Sequence, residues 1–291
     1  MLAFLSSLFI NGLVTGSMFM LVALGVTLFY GVLRIINLAH GDVFMVGAYM
    51  AFYAGTYLHL PYWAVVIVTM MGCAVLYPIL DLLVFRRLRG SELGPLITSV
   101  GLSMALESLV QGIFTANAQA VPSPYLNNLV NIGTVSVPLQ SLLMIPLTLV
   151  VVAALYVFLR RTRTGLMVRA VAMEPRVSQL MGVRPEYVYG VVFVLAGLLV
   201  GLAAATMAPE LYVTPTMGVE LTVDAYIVVV IGGFGNVEGA IVAAFILGLI
   251  NSFVSGLGLA DWATTIALAL LVGFMMVRPS GLVAERLGVR Q

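Results

Sequence analysis

Lysine is absent from this chain of 291 residues, and only 9% of the residues carry a charge. The net charge of +1 gives no basis for nucleic-acid binding. Hydrophobic residues make up 62% of the chain, against roughly 45–50% in soluble domains. A soluble fold with so few charges would expose large apolar patches and aggregate. The composition therefore predicts a protein embedded in the lipid bilayer.

Cysteine is almost absent as well, since Cys73 is the single example and lies in an apolar run. An internal disulfide is excluded, and a buried structural thiol is the expected role. The N-terminus has no basic region or cleavage site, so we expect no removable signal peptide. Without lysine the chain lacks a phosphate-binding loop ending in Lys-Ser or Lys-Thr, so we expect no ATP hydrolysis by the chain itself and no cofactor.

Long apolar segments fill most of the sequence. In lipid each has to be helical, because no water is available to satisfy the backbone. The first segment is longer than one span needs, and we expect a short half-helix followed by a span, with the side of the N-terminus undetermined. We predict an all-α polytopic membrane protein with about 8–9 transmembrane segments in a single domain, 1–291. The segments are 3–33, 41–58, 62–85, 95–115, 137–159, 187–208, 222–234, 237–257 and 263–277.

The arginines are confined to one set of connections between these segments. The other set, which includes an extended loop at 116–138, has none. The positive-inside rule therefore places the arginine-bearing connections in the cytoplasm. The arginines are Arg34, Arg86, Arg87, Arg89, six between Arg160 and Arg184, Arg278, Arg286 and Arg290.

The same rule predicts a re-entrant or broken helix near 222–236. An even number of crossings has to separate Arg184 from Arg278, yet the segment 222–234 is too short for a full span. Irregular backbone at membrane depth is tolerated only where it is buried in protein or lines a cavity. We expect the break, followed by close helix packing, at Gly232, Gly233, Gly235, Asn236 and Gly239.

A polar cluster lies between the first two apolar segments, with Asn37, His40 and Asp42 following Arg34. Asp42 could cap the next helix and complement its dipole, so a well-capped connection is one interpretation. A gate or helix hinge on the translocation pathway is the other. A catalytic His–Asp pair is disfavoured, because no nucleophile or metal-ligand set is nearby.

A polar stripe follows the segment 95–115 at intervals of four residues, which places its side chains on one helix face. An ionisable residue near the middle of a span is costly unless it faces a partner or a wet cavity. A translocation pathway is the favoured interpretation, and hydrogen bonding between helices is the alternative. The stripe consists of Ser99, Ser103, Glu107 and Gln111.

The connection 160–186 is the longest polar stretch, and its residues 168–181 predict a short amphipathic helix ended by Gly182. The polar face mixes both signs of charge, which favours a protein partner over the bilayer surface. The predicted apolar side comprises Val171, Val177, Leu180 and Met181.

Several long motifs resemble the permeases of branched-chain amino acid ABC importers of the LivH type, in matching order over nearly the whole chain. They include LVALGVTLFYGVLRIINLAHGDVFMVGAY (21–49), PLITSVGLSMAL (95–106) and RRTRTGLMVRAVAMEPRVSQLMGV (160–183). VVVIGGFGNVEGAIVAAFILGL (228–249) and Arg278-Pro279-Ser280-Gly281-Leu282 complete the match.

The resemblance implies a multi-pass subunit of the bacterial inner membrane that carries branched-chain or related amino acids. Its implied partners are a second, homologous permease of the LivM type, two cytoplasmic ATPases and a periplasmic substrate-binding protein. It also implies an ATPase-coupling role for Ala172, Met173, Glu174, Pro175, Arg176, Gln179 and Gly182. A urea or short-amide permease is the alternative, and a secondary transporter would need coupling-ion sites for which Glu107 alone is thin support.

Overall fold

The computed structural model describes residues 2–89, 91, 93–132, 135–278 and 281–282. Within them the chain is mostly helical. The helices are α1 (Leu2–Leu33), α2 (His40–Thr56), α3 (Tyr62–Leu83), α4 (Gly94–Phe114), α5 (Leu139–Arg161), α6 (Arg163–Met173), α7 (Pro175–Leu180), α8 (Pro185–Met207), α9 (Met217–Gly232), α10 (Val237–Gly256) and α11 (Ala263–Val277). Short 3-10 turns cover Phe85–Leu88 and Ala260–Trp262. Pro279, Ser280, Arg286 and Arg290, which entered the sequence predictions, lie outside the described residues.

Seven of the described helices are long and apolar enough to cross a membrane. The predicted count of 8–9 is therefore not confirmed. The difference lies in α2 and α9, which have 17 and 16 residues, whereas α11 continues from the 3-10 turn Ala260–Trp262 and reaches 18 residues with it. Helices α2 and α9 are each about 25 Å long, short of the roughly 30 Å hydrocarbon core.

The first helix contradicts one expectation. Instead of a half-helix and a span, α1 is one continuous helix of 32 residues. Its Gly12 and Gly16 do not break it, because they pack directly against Leu249 and Phe245 of α10. Small residues in a membrane helix serve close approach between helices as readily as they serve a kink.

The bundle has an inner and an outer group of helices. The share of the apolar stretch that is buried inside the chain is 78% for α1 and 67% for α8. It is 11% for α4, 17% for α5 and 6% for α11. Helix α1 packs on α10 and α8, and α3 packs on α8. The polar connection between α1 and α2 therefore lies inside the inner group.

Cys73 illustrates how tightly the inner helices approach one another. The buried thiol lies on α3 between glycines of α2 and α8. A Cβ on Gly47 would come within 2.9 Å of the Cys73 sulfur, and one on Gly201 within 2.9 Å of the Cys73 Cβ. The predicted burial of this thiol is confirmed.

The loop after α4 contains a small hairpin, so the all-α prediction is wrong at this place. Strand β1 (Leu129–Ile132) pairs antiparallel with β2 (Val135–Pro138), with Val130 opposite Val137. β-Branched residues favour strands, and Val137 is buried. The hairpin leads directly into α5.

The connections that carry arginine and those that lack it lie at opposite ends of the bundle. At one end Arg34 contacts Ala172, and Arg160 pairs with Glu238. At the other end Gln119 pairs with Val213, and Ser141 bonds to Glu210. The arginines that the structure describes are therefore segregated to a single end, as the positive-inside rule requires.

Candidate functional site

The connection between α1 and α2 is buried and held by hydrogen bonds. Asn37, His40 and Asp42 are each only 1% exposed. The Asn37 side chain donates to the Tyr77 hydroxyl at 3.0 Å and accepts from the Ala39 N–H at 3.0 Å. The Tyr77 hydroxyl also lies 2.6 Å from Nδ1 of His40. A polar turn buried this deeply persists because its groups are paired.

Helices α4 and α9 contribute further partners to this turn. The Asn37 N–H donates to the Tyr226 hydroxyl at 2.8 Å, and that hydroxyl donates to the Asn37 carbonyl at 3.0 Å. The Leu38 N–H donates to Ser99 Oγ at 3.0 Å, and the Gly41 N–H to Thr222 Oγ1 at 2.9 Å. We refer to Asn37, His40, Tyr77, Ser99, Thr222 and Tyr226 as the Asn37 network, which ties the connection between α1 and α2 to the four helices α2, α3, α4 and α9.

Sequence reasoning found half of this network and missed Tyr77, Thr222 and Tyr226. Tyr77 lies within an apolar run, whereas Thr222 and Tyr226 lie close to Glu220 and Asp224, which sequence analysis assigned no role. One signal was available, because a tyrosine hydroxyl buried in a membrane span has to find a partner. Which partner it finds depends on the packing of helices far apart in sequence.

Asp42 does not cap α2, so that prediction is wrong. The helix begins at His40, so Ala39 occupies the capping position and makes no side-chain cap bond. Asp42 lies inside the first turn of α2, near the positive end of the helix dipole. Its oxygens meet no hydrogen-bonding partner at bonding distance among the described residues, and its Oδ1 packs against Gly218.

The stripe on α4 points in part at Asp42. Ser99 is fully buried, Ser103 and Glu107 are half-buried, and Gln111 is exposed. Ser103 and Glu107 are close enough to Asp42 to act electrostatically on its carboxyl group. The structure thus brings the first polar cluster and the α4 stripe together, which sequence analysis treated as separate.

The broken helix has the predicted position. Helix α9 ends at Gly232, and Gly233 and Gly235 adopt φ angles of 100° and 76°, which glycine tolerates best. Asn236 then caps α10 by accepting from the Gly239 N–H at 2.9 Å. The backbone of Gly31 on α1 packs against Gly235. The break therefore lies against protein, at the arginine-bearing end of the bundle.

The predicted amphipathic helix over 168–181 is two helices, α6 and α7, so this prediction is wrong in part. Glu174 has an extended backbone, because the residue before a proline is disfavoured in the α region. Its side chain caps α7 by accepting from the Arg176 N–H. Gly182, with φ 87°, follows the end of α7 as predicted.

This division also splits the predicted apolar side. Val171 is fully buried on α6, whereas Met173, Val177, Leu180 and Met181 are exposed, the last two by 87% and 81%. We refer to residues 173–181 as the coupling tip. Ala172, just before it, accepts a hydrogen bond from Arg34 at 3.4 Å through its carbonyl.

Comparisons with known proteins identify the family and relatives of this chain. Residues 8–276 match the family described as "Branched-chain amino acid transport system / permease component". The chain is 29% identical to the high-affinity branched-chain amino acid transport system permease protein BraD of Pseudomonas aeruginosa, over 95% of this chain and 94% of the relative. It is 28% identical to LivH of Escherichia coli (strain K12), a permease protein of the same printed description, over 98% and 96%.

Among solved structures the chain resembles PsaBC from Streptococcus pneumoniae in complex with Fab. The TM-score is 0.51 at 11% identity, covering 93% of this chain and 91% of that one. At this identity the likeness concerns the fold alone.

Proposed function

Since the chain belongs to the family of permease components of branched-chain amino acid transport systems, we propose that it is the membrane-spanning subunit of an ATP-driven importer. Its solutes are branched-chain or related amino acids, delivered by a periplasmic binding protein. It works with a second permease of the LivM type and two cytoplasmic ATPases in the bacterial inner membrane. Residues 1–291 act as one transport domain, with α2 and α9 as short additional crossings.

The exposed coupling tip is the observation that carries this proposal. Leu180 and Met181 project from the arginine-bearing end with most of their surface uncovered. An apolar patch next to charged residues is typical of a protein interaction site. A short helix that presents such anchors fits a hydrophobic groove on a partner. In the proposed importer this partner is an ATPase, because the arginine-bearing end faces the cytoplasm.

The contacts of the coupling tip suggest how its motion reaches the membrane. The Ala172 carbonyl, directly before the tip, holds the Arg34 side chain. Arg34 is three residues from Asn37, and the Asn37 network joins α2 to α3, α4 and α9. A shift of the tip therefore acts on the place where these four helices meet. Alternating access then follows from a change in their relative tilt.

Asp42, Ser103, Glu107 and Gln111 are the proposed pathway residues. They follow one side of α2 and α4, and α4 is the least covered helix near the Asn37 network. Glu107→Leu should lower uptake by more than about tenfold, a barrier change of roughly 1.4 kcal/mol. Met104→Leu on the same helix is the control, since Met104 is exposed and uncharged. Full uptake by Glu107→Leu and Glu107→Gln at normal abundance would reject the pathway role.

The coupling proposal is tested by Leu180→Ser, which keeps the fold because the side chain touches little else. ATP-dependent uptake of leucine, isoleucine and valine should fall to background, and the ATPase subunits should no longer copurify. Leu58→Ser, an exposed leucine at the opposite end, should retain both. Uptake that persists in Leu180→Ser, or transport of urea in place of these amino acids, contradicts the proposed function.

A further inference from the structure

A large cavity opens at the arginine-bearing end, between α1, α5, α6 and the start of α10. Its volume is about 1020 Å³. Three arginines line it, Arg34, Arg160 and Arg169, together with the aromatic rings of Tyr30 and Tyr156. We refer to it as the arginine cavity.

The charge in this cavity is strongly unbalanced. Its one lining carboxylate, Glu238, already pairs with Arg160 at 3.3 Å. Arg34 donates to a carbonyl, and no ion pair involves Arg34 or Arg169 within the described ranges. Two positive charges are therefore left without a carboxylate partner. Such a cavity favours an anionic ligand, and guanidinium groups match the geometry of phosphate oxygens.

The start of α10 also favours an anionic ligand. Asn236 and Val237 line the cavity where this helix of 20 residues begins. The N-terminus of a long helix carries a partial positive charge and backbone N–H donors. The Asn236 cap on the Gly239 N–H and Glu238 in the first turn offset part of this charge, so the arginines supply most of the attraction for an anion.

The surroundings favour a lipid as the source of the anion. Helix α5 forms one wall of the cavity, and only 17% of its apolar stretch is buried inside the chain. Tyr156 and Val157 on it are exposed, so an acyl chain can lie along this helix below the cavity. The Arg160 guanidinium stacks on the Tyr156 ring at 4.4 Å. Aromatic and basic side chains combined in this way are typical of the membrane interface.

We propose that the arginine cavity binds the phosphate headgroup of an anionic phospholipid from the cytoplasmic leaflet. Basic pockets between membrane helices on this side suit such headgroups. Ala172 and Met173 also line the cavity. A bound headgroup therefore braces the end of α6 against α1 and holds the coupling tip in place. The proposal goes beyond the transport function and needs only the orientation of the arginine-bearing end.

The test measures thermal stabilisation of the full chain, purified with the subunits that accompany it, by short-chain phosphatidylglycerol and phosphatidylcholine. Phosphatidylglycerol should stabilise the protein at lower concentration. Arg169→Gln should weaken its apparent affinity about fivefold, and Arg34→Gln combined with Arg169→Gln about 25-fold. Arg161→Gln is the matched control, since Arg161 is exposed nearby but does not line the cavity.

Three results would overturn the proposal. The first is equal stabilisation by both lipids. The second is an equal loss in Arg161→Gln, which would indicate general surface charge. The third is stabilisation by inorganic phosphate that depends on Arg169, combined with no stabilisation by phosphatidylglycerol. This result would assign the cavity to a soluble anion. Because the readout is stability, each result is independent of whether the chain transports amino acids.

Discussion

The inner and outer helices of this molecule are built from similarly apolar sequences but are stabilised differently. Helices α1 and α8 are mostly buried within the chain, whereas α4, α5 and α11 leave most of their surface uncovered. Close contacts between glycine backbones and paired polar groups hold the inner set together. The outer set has to be covered by lipid or by another subunit. Hydrophobicity alone therefore does not reveal which helices form the interior.

The strongest test of this difference is to replace a glycine by alanine in a tightly packed helix and in an outer helix, which adds one methyl group to each. Gly41→Ala would place a Cβ on the Gly218 carbonyl and the Thr222 hydroxyl. Overpacking of this kind costs about 1–3 kcal/mol or more. We expect a strong loss of folded protein in the membrane, measured as abundance and as thermal midpoint in detergent.

Gly112→Ala on α4 is the control, because a Cβ there would meet no atom within 4 Å. It should leave stability unchanged or raise it slightly, since alanine favours the helix more than glycine does. If both variants behaved alike, the distinction between inner and outer helices would be lost.

A smaller effect is expected from removing one hydroxyl from the Asn37 network. Tyr77→Phe leaves the Asn37 amide and His40 Nδ1 without this partner in a buried place. The expected cost is about 1–3 kcal/mol, visible as a lower thermal midpoint. Tyr53→Phe, which alters an exposed ring on α2, should cost almost nothing. An unchanged midpoint in Tyr77→Phe would show that the network contributes little to stability.

The smallest predicted effect is a pH dependence of stability caused by Glu210. This residue follows α8 and contacts α5 at the end opposite the arginines. Burial raises the pKa of Glu210, although the Ser141 hydroxyl of α5 donates to it at 2.7 Å and opposes the change. The folded state therefore favours the protonated acid. This contribution is fully present below the ordinary glutamate pKa of about 4.3 and is lost as the pH rises through the raised folded value.

Glu210→Gln should remove this pH dependence and keep an oxygen for Ser141. The measurement is the difference in thermal midpoint between the original chain and the variant across that pH range. A difference that stays constant with pH, or that changes in the opposite direction, would contradict the assignment.

Much of the membrane architecture could be predicted from the sequence. Arginine placement identified one end of the bundle, and the counting argument located the break at Gly232 to Asn236. These predictions succeeded because they depend on local chemistry. The split at Glu174 was also readable from Pro175, but the amphipathic pattern across it suggested one helix.

What could not be predicted depends on contacts between distant segments. Nothing near Tyr226 indicates that it bonds to Asn37, 189 residues earlier. Asp42 and Glu107 gave two separate patterns, and only the packing of α4 on α2 brings them together. The continuity of α1 is of the same kind, because Gly12 and Gly16 bend a free helix more easily than one packed on α10.

The burial of Cys73 has a practical consequence. Its thiol is enclosed by the glycines of two neighbouring helices and is inaccessible to water-soluble reagents. A cysteine introduced at an exposed position would then be the one thiol that reacts in the folded molecule. Fluorescent or spin labels can therefore be placed at either end without first removing the native cysteine, and distances between them can report each step of a transport cycle.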